Sequence, residues 1–201
     1  MASGFGEQER VPDPQIRRGQ VDGLPAVVVD GLIPESRTQQ LFHWLNGQPF
    51  TRSEAARPDT QAFLHWAFNV SLDDCRRLPL FRPTMRALAE ALPERGPQRL
   101  YRAYCNLSTY GDMLFTHTDS QPGEEGLTAL WYLAPQWDPE WGGETLLFDE
   151  SGDPLFVIGF KPGRLAIFDA RIRHAGRPPS RVCVLPRLTF ALKFGPEEAA
   201  G

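Results

Sequence analysis

Cysteine is scarce in this chain: Cys75, Cys105 and Cys183 are far apart and odd in number. That excludes a disulfide framework and a thiolate zinc site, and it points to reduced thiols. No apolar run approaches the ~18–20 residues that span a bilayer. The first ten residues are polar and lack the apolar stretch of a signal peptide. An excess of basic charge is missing too. With 21 Lys+Arg against 25 Asp+Glu the net charge is −4, which offers no general attraction to nucleic acid or to an anionic membrane. The expectation is a cytoplasmic protein with no nucleic-acid partner and no membrane attachment. There is no internal repeat and no low-complexity tract.

What is present is 201 residues, 41% of them hydrophobic and 23% charged, the composition of one folded domain. Nineteen prolines and eighteen glycines impose many turns, so long helices cannot dominate. Residues 1–21 read as a loose polar arm. Residues 22–97 read as a support region: a β-branched strand at 25–30, a helix from Pro34 closed by Asn46-Gly47, an aromatic strand at 63–70 and a helix at 84–92. From residue 98 to 195 short apolar runs alternate with turn signals. Strands are predicted at 100–105, 113–116, 127–133, 145–148, 155–158 and 164–168, with a last one in 182–194 interrupted by Pro186. Residues 196–201 form a tail. This pattern predicts a mainly β sandwich or barrel with flanking helices.

The chain has four histidines, and two stand in informative places. His117-Thr118-Asp119 follows one predicted strand, and His174 comes 57 residues later, after another. In an extended segment residues i and i+2 face the same way, so His117 and Asp119 can grip one ion together. Two imidazoles and one carboxylate on one face of an octahedron leave three positions open, which suits non-haem Fe(II). A His-x-Asp tripeptide alone is most simply a surface turn; the order of its surroundings carries the argument. His43 and His65 sit among aromatic neighbours and read as packing residues. Asp73-Asp74 and Glu124-Glu125 read as solvated charges, and residues 121–126 lie close enough to the tripeptide to reach a pocket mouth.

Tyr104, Tyr110-Gly111-Asp112, His117-Thr118-Asp119, the run 128–133 (TALWYL), the run 141–148 (WGGETLLF), Pro162-Gly163-Arg164-Leu165, His174 and the run 187–194 (RLTFALKF) follow one another in an informative order. In that order the chain resembles the 2-oxoglutarate- and Fe(II)-dependent oxygenases, particularly their prolyl-4-hydroxylase-like branch. The resemblance covers residues 99–195, about half the chain, and implies a double-stranded β-helix, or jelly-roll, core. It implies that His117, Asp119 and His174 are the iron ligands. It makes Arg187 the residue for the distal carboxylate of 2-oxoglutarate, with Thr189 beside it, Tyr132 reaching the same end and Tyr104 a further candidate from the neighbouring strand. Trp141-Gly142-Gly143-Glu144 reads as a structural turn.

The implied activity is hydroxylation of an unactivated C–H in an amino acid, peptide or small metabolite. It is coupled to O₂-dependent decarboxylation of 2-oxoglutarate to succinate and CO₂, with ascorbate as reductant. Related halogenases replace the carboxylate ligand by a small residue, so Asp119 favours hydroxylation; desaturation or ring closure starts from the same hydrogen abstraction. Two departures stand out. The step from His174 to Arg187 is longer than usual, with residues 177–180 as an apparent insertion, and Tyr104 lies further from His117 than is typical. Two other classes remain open: a jelly-roll hydrolase or isomerase using Zn or Mn, which leaves Arg187 and Thr189 without a shared role, and a non-catalytic binding module on the same fold. Substrate-lining residues are expected in 49–63, which contains Arg52 and Arg57.

Overall fold

In the computed structural model, residues 13–121 and 123–197 are described. Eleven strands and three helices are found among them: β1 (Gln15–Val21), β2 (Leu24–Asp30), α1 (Glu35–Asn46), β3 (Thr51–Glu54), β4 (His65–Val70), α2 (Leu72–Arg77), α3 (Phe81–Ala91), β5 (Gln98–Ser108), β6 (Leu127–Leu133), β7 (Thr145–Phe148), β8 (Pro154–Ile158), β9 (Leu165–Asp169), β10 (Arg173–Gly176) and β11 (Arg187–Pro196). They form an eight-stranded sheet in the order β1-β2-β9-β6-β11-β5-β4-β3 and a three-stranded sheet in the order β10-β7-β8. Every strand pairing is antiparallel. This is the mainly β jelly-roll architecture that the sequence implies.

The periodicity of β11 explains how the sheet is used. Leu188, Phe190, Leu192 and Phe194 are completely buried on one face. On the same face of neighbouring β6 lies Trp131, opposite Phe190 in the ladder, and its indole N–H donates to Thr84 of α3 at 2.8 Å. The helices therefore cover the apolar side of the large sheet, and α1 also packs on β6. The alternate residues of β11, Arg187, Thr189, Ala191 and Lys193, face the space between the sheets.

Three expectations need correction. The arm assigned to 1–21 is ordered in its second part: 15–21 is an edge strand paired along its whole length with β2. Its polar sequence hides it, because an edge strand buries little; residues 1–12 lie outside the described residues. The front half is also more than a support, since it contributes four strands, β1 to β4, to the large sheet itself. Residues 113–116 form no strand. Asp112 is tied to the Thr109 amide at 2.7 Å and to Arg52, Arg57 donates to the Thr116 carbonyl, and Phe115 packs on Phe63, so side chains rather than a ladder fix that segment.

Candidate metal and cosubstrate site

His174 lies on β10, the edge strand of the small sheet, and His117 reaches it from the opposite side. The two residues form an isolated antiparallel bridge, with His117 N to His174 O at 3.0 Å and His174 N to His117 O at 2.8 Å. Two residues on, the Asp119 amide donates to Ala170 O at 2.8 Å. These backbone bonds fix both ends of the tripeptide, and His117, Asp119 and His174 each present a ligand atom within 4.8 Å of the others. His117 Nε2 is 3.5 Å from Asp119 Oδ1, and His174 Nε2 is 3.3 Å from Asp119 Oδ2.

The histidine tautomers follow from their partners. His117 Nδ1 lies 3.0 Å from Phe115 O and His174 Nδ1 2.9 Å from Ile172 O. A carbonyl can only accept, so each Nδ1 carries a proton and Nε2 is the nitrogen turned toward Asp119 in both rings. Burial pushes the His174 pKa down and keeps its ring neutral, although Asp119 pulls the other way. For Asp119, burial would raise the pKa, but Lys193, His174 and His117 together hold it well below the usual carboxylate range. Two imidazoles that turn Nε2 inward and an ionised carboxylate, converging on one point, match the donor set of a non-haem divalent iron site.

The cavity behind this cluster has a volume of about 210 Å³, and its walls include Arg187, Thr189, Thr145, Asn106, Tyr104 and Lys193. Arg187 is 3% exposed. Its Nε donates to Gly143 O at 2.8 Å, and its terminal nitrogens donate to Thr145 Oγ1 at 3.1 Å and Thr189 Oγ1 at 3.3 Å. No carboxylate among the described residues pairs with it. A buried guanidinium with neutral partners only is short of an anion. Ser108, opposite Arg187 in the ladder, has a buried hydroxyl without a partner, and so does the side-chain oxygen of Asn106, opposite Thr189. These orphaned polar atoms around a lone cation fit the carboxylate end of a small dianion.

The glycine pair of the WGGE turn builds the floor under that cation. Gly143 sits at φ +82°, where its carbonyl can meet Arg187 Nε, and a Cβ there would lie 2.9 Å from the Trp137 ring. A Cβ on Gly176 would come within 3.2–3.4 Å of the guanidinium. The turn is structural, as expected, and what it structures is Arg187. The extra residues after His174 run back along it: Arg177 N bonds Glu144 O and Ser180 N bonds Trp141 O, both at 2.7 Å. Arg181 is exposed, away from the cavity walls.

Tyr132 is completely buried, and its hydroxyl donates to Thr145 Oγ1 at 2.7 Å; it reaches the Arg187 end through Thr145. Tyr104 stands at the other end, its ring 5.7 Å from Lys193 Nζ and 4.3 Å from the Arg102 guanidinium. Burial raises the pKa of both phenols, which keeps them as neutral hydrogen-bonding groups. Sequence reasoning missed Thr145, Asn106, Ser108 and Lys193, and it read His65 as packing, whereas His65 forms part of the cavity wall. Within 49–63 the wall is made by Glu54, Ala55 and Ala56, with Glu54 paired to Arg102. Arg52 and Arg57 turn instead to Asp112 and to Asp59. Asp112 itself is not part of the ligand cluster.

Residues 105–194 match the family described as the 2OG-Fe(II) oxygenase superfamily. No curated protein matches the chain significantly. Among solved structures, a Pseudomonas putida prolyl-4-hydroxylase aligns with a TM-score of 0.63 at 15% identity over 86% of this chain and 92% of its own. EvdO2 from Micromonospora carbonacea var. aurantiaca aligns with 0.63 at 17% identity over 88% and 89%. The non-haem α-ketoglutarate-dependent epimerase SnoN from nogalamycin biosynthesis aligns with 0.60 at 20% identity over 84% and 76%. At such identities these likenesses speak to the fold. The matched segment holds the whole His/Asp/His and Arg187 constellation, so the likeness to the 2OG-Fe(II) oxygenase superfamily falls on the residues of the site itself.

Proposed function

We propose that this enzyme hydroxylates an unactivated C–H of an amino acid, peptide or small metabolite, converting 2-oxoglutarate and O₂ to succinate and CO₂. The observation that carries this reading is one cavity shared by two features: a convergent His/Asp/His cluster and a buried arginine short of an anion. A zinc hydrolase would use the first and leave the second idle. His117, Asp119 and His174 would hold Fe(II), which supplies O₂ activation when bound. Arg187 would bind the distal carboxylate of 2-oxoglutarate through its two terminal nitrogens, and Thr189 and Thr145 would fix the plane of the guanidinium. Tyr132 holds Thr145 in place, and Tyr104 bounds the cavity near the metal.

The small volume and mixed lining favour a compact polar substrate or a single side chain of a peptide entering past residues 54–56. Ascorbate would serve as reductant for uncoupled turnover. Cys75 and Cys105 are buried as free thiols, which fits a reducing compartment and the cytoplasmic assignment; no helix among the described residues is long and apolar enough to cross a membrane. The test is succinate release with Fe(II), 2-oxoglutarate, O₂ and ascorbate across a panel of free amino acids, peptides and small metabolites. A compound that stimulates release and gains one oxygen by mass is the expected result. Hydrolysis without oxygen consumption would overturn the reading. An epimerised or desaturated product with succinate formed would keep the cofactor chemistry and replace hydroxylation as the outcome.

A further inference from the structure

β11 carries a second buried cation, which the reading above leaves unused. Lys193 faces the same cavity as Arg187 and is 5% exposed. Its Nζ donates to Asp119 Oδ2 and, at 3.2 Å, to Thr128 Oγ1. Thr128 Oγ1 donates to the same Asp119 oxygen at 2.6 Å. Lys193 is therefore paired with the one carboxylate that a metal on His117 and His174 would also claim.

That sharing has a physical consequence. A divalent cation drains charge from Asp119 and repels the ammonium, so the pair that compensates burial of Lys193 weakens as the metal site fills. The lysine cannot reach water easily at its depth, and it then requires another anion. If the cavity takes 2-oxoglutarate as proposed, with one carboxylate on Arg187, the other must lie at the metal end, where Lys193 stands. We infer that Lys193 is a second cosubstrate-binding residue, whose ammonium receives the metal-side carboxylate of 2-oxoglutarate while Thr128 and Asp119 keep it in position. In the metal-free protein the same ammonium bonds the Asp119 carboxylate and orients it.

The inference rests on the metal and cosubstrate assignment, and its signature is an opposition that loss of structure does not produce. Lys193→Met keeps the aliphatic stem and removes the charge. Mn(II) titration of the metal-free protein, followed through the electron paramagnetic resonance of free Mn(II), should show affinity unchanged or higher, because a competitor for Asp119 is gone. Calorimetric titration of 2-oxoglutarate into the Mn(II)-loaded variant should show binding weakened about tenfold to a hundredfold, the range of a lost hydrogen bond to a charged group. Lys193→Arg should recover most of that loss. If Lys193→Met is too unstable to titrate, Lys193→Gln removes the charge while keeping a donor for Thr128 and Asp119, and it serves the same comparison. Cosubstrate affinity within twofold of wild type, or parallel weakening of Mn(II) and 2-oxoglutarate, overturns the inference. Wild-type protein that binds neither would overturn the underlying site assignment as well, whereas wild-type binding with the opposition absent overturns the role of Lys193 alone.

Discussion

Replacing Arg187 by Ala tests the cosubstrate end most directly, and Arg181 supplies the internal comparison. Arg181 is seven residues after His174 and Arg187 thirteen, so spacing alone would favour the former. Burial separates them. The Arg187 guanidinium is enclosed by Gly143, Thr145 and Thr189, while Arg181 is in solvent. Loss of a hydrogen bond to a charged group is worth ~1.5–3 kcal/mol, or roughly a tenfold to 150-fold change in a binding constant at 1.4 kcal/mol per decade. Arg187→Ala should therefore raise the 2-oxoglutarate concentration for half-saturation by at least about tenfold, with Mn(II) affinity little changed. The folded state should survive, because removing a buried cation that has no carboxylate partner also removes its desolvation cost. Arg187→Lys should fall between, keeping charge and losing the planar fork. Arg181→Ala should match wild type within about twofold. Apparent 2-oxoglutarate affinity measured on all four proteins decides the matter; a larger loss in Arg181→Ala would mean that the wrong arginine has been placed at the cosubstrate.

His117→Ala and His174→Ala should each abolish turnover and the thermal stabilisation by Mn(II), which at a hundredfold excess over the dissociation constant amounts to ~2.7 kcal/mol in wild type; an undiminished melting shift in His174→Ala would exclude it as a ligand. Asp119→Gly should lose 2-oxoglutarate turnover and also destabilise the fold by roughly 3–5 kcal/mol, since it leaves Lys193 buried and unpaired; chemical denaturation reads this, and the double variant with Lys193→Met should recover part of the loss. Acid should destabilise the metal-free protein through Asp30 and Asp169. Burial would raise both carboxyls, but Arg164 and Lys161 at Asp30, and Arg171 and Arg95 at Asp169, hold them below the usual range. Their folded pKa values are thus depressed, so this stability is complete above the unfolded value of roughly 3.9 and is lost as pH falls through the folded ones. Melting temperatures that stay level from pH 6 to about pH 3 would contradict it.

The parts of the fold legible in the sequence are those whose pattern is local. Residues 127–133, apolar but for Thr128, become β6, the strand between β9 and β11, buried at every position. The alternation in RLTFALKF separates an apolar face from a polar one, and that local pattern alone is enough to orient Arg187. What stays hidden depends on partners distant in the chain. QIRRGQV has no strand signature of its own, and it pairs because 24–30 offers an edge. The four-residue β3 and β10 are too short for a periodicity to show. His174 lies on the latter, so its neighbourhood reads as a loop. The same alternation that orients Arg187 continues to Lys193, a signal present in the sequence. The identity of its partner is not, because Asp119 is 74 residues away.

The two sheets also divide the chemistry, which explains why the order of motifs is more telling than any one of them. The large sheet contributes both cations from a single strand, Arg187 and Lys193 on β11. The small sheet contributes His174 from β10 and Thr145 from β7, adjacent strands paired with each other. His117 and Asp119 lie on neither sheet, yet His117 bonds to β10 and Asp119 to Ala170, just past the end of β9. Asp119 additionally receives Lys193 of β11 and Thr128 of β6. The tripeptide is thus the clasp between the layers, and a metal bound there would crosslink segments from both. A ligand held only by the closed arrangement stabilises that arrangement. Metal loading should therefore slow amide exchange at His117, Asp119 and His174 together, whereas a metal bound to one histidine on the surface would protect none of the three.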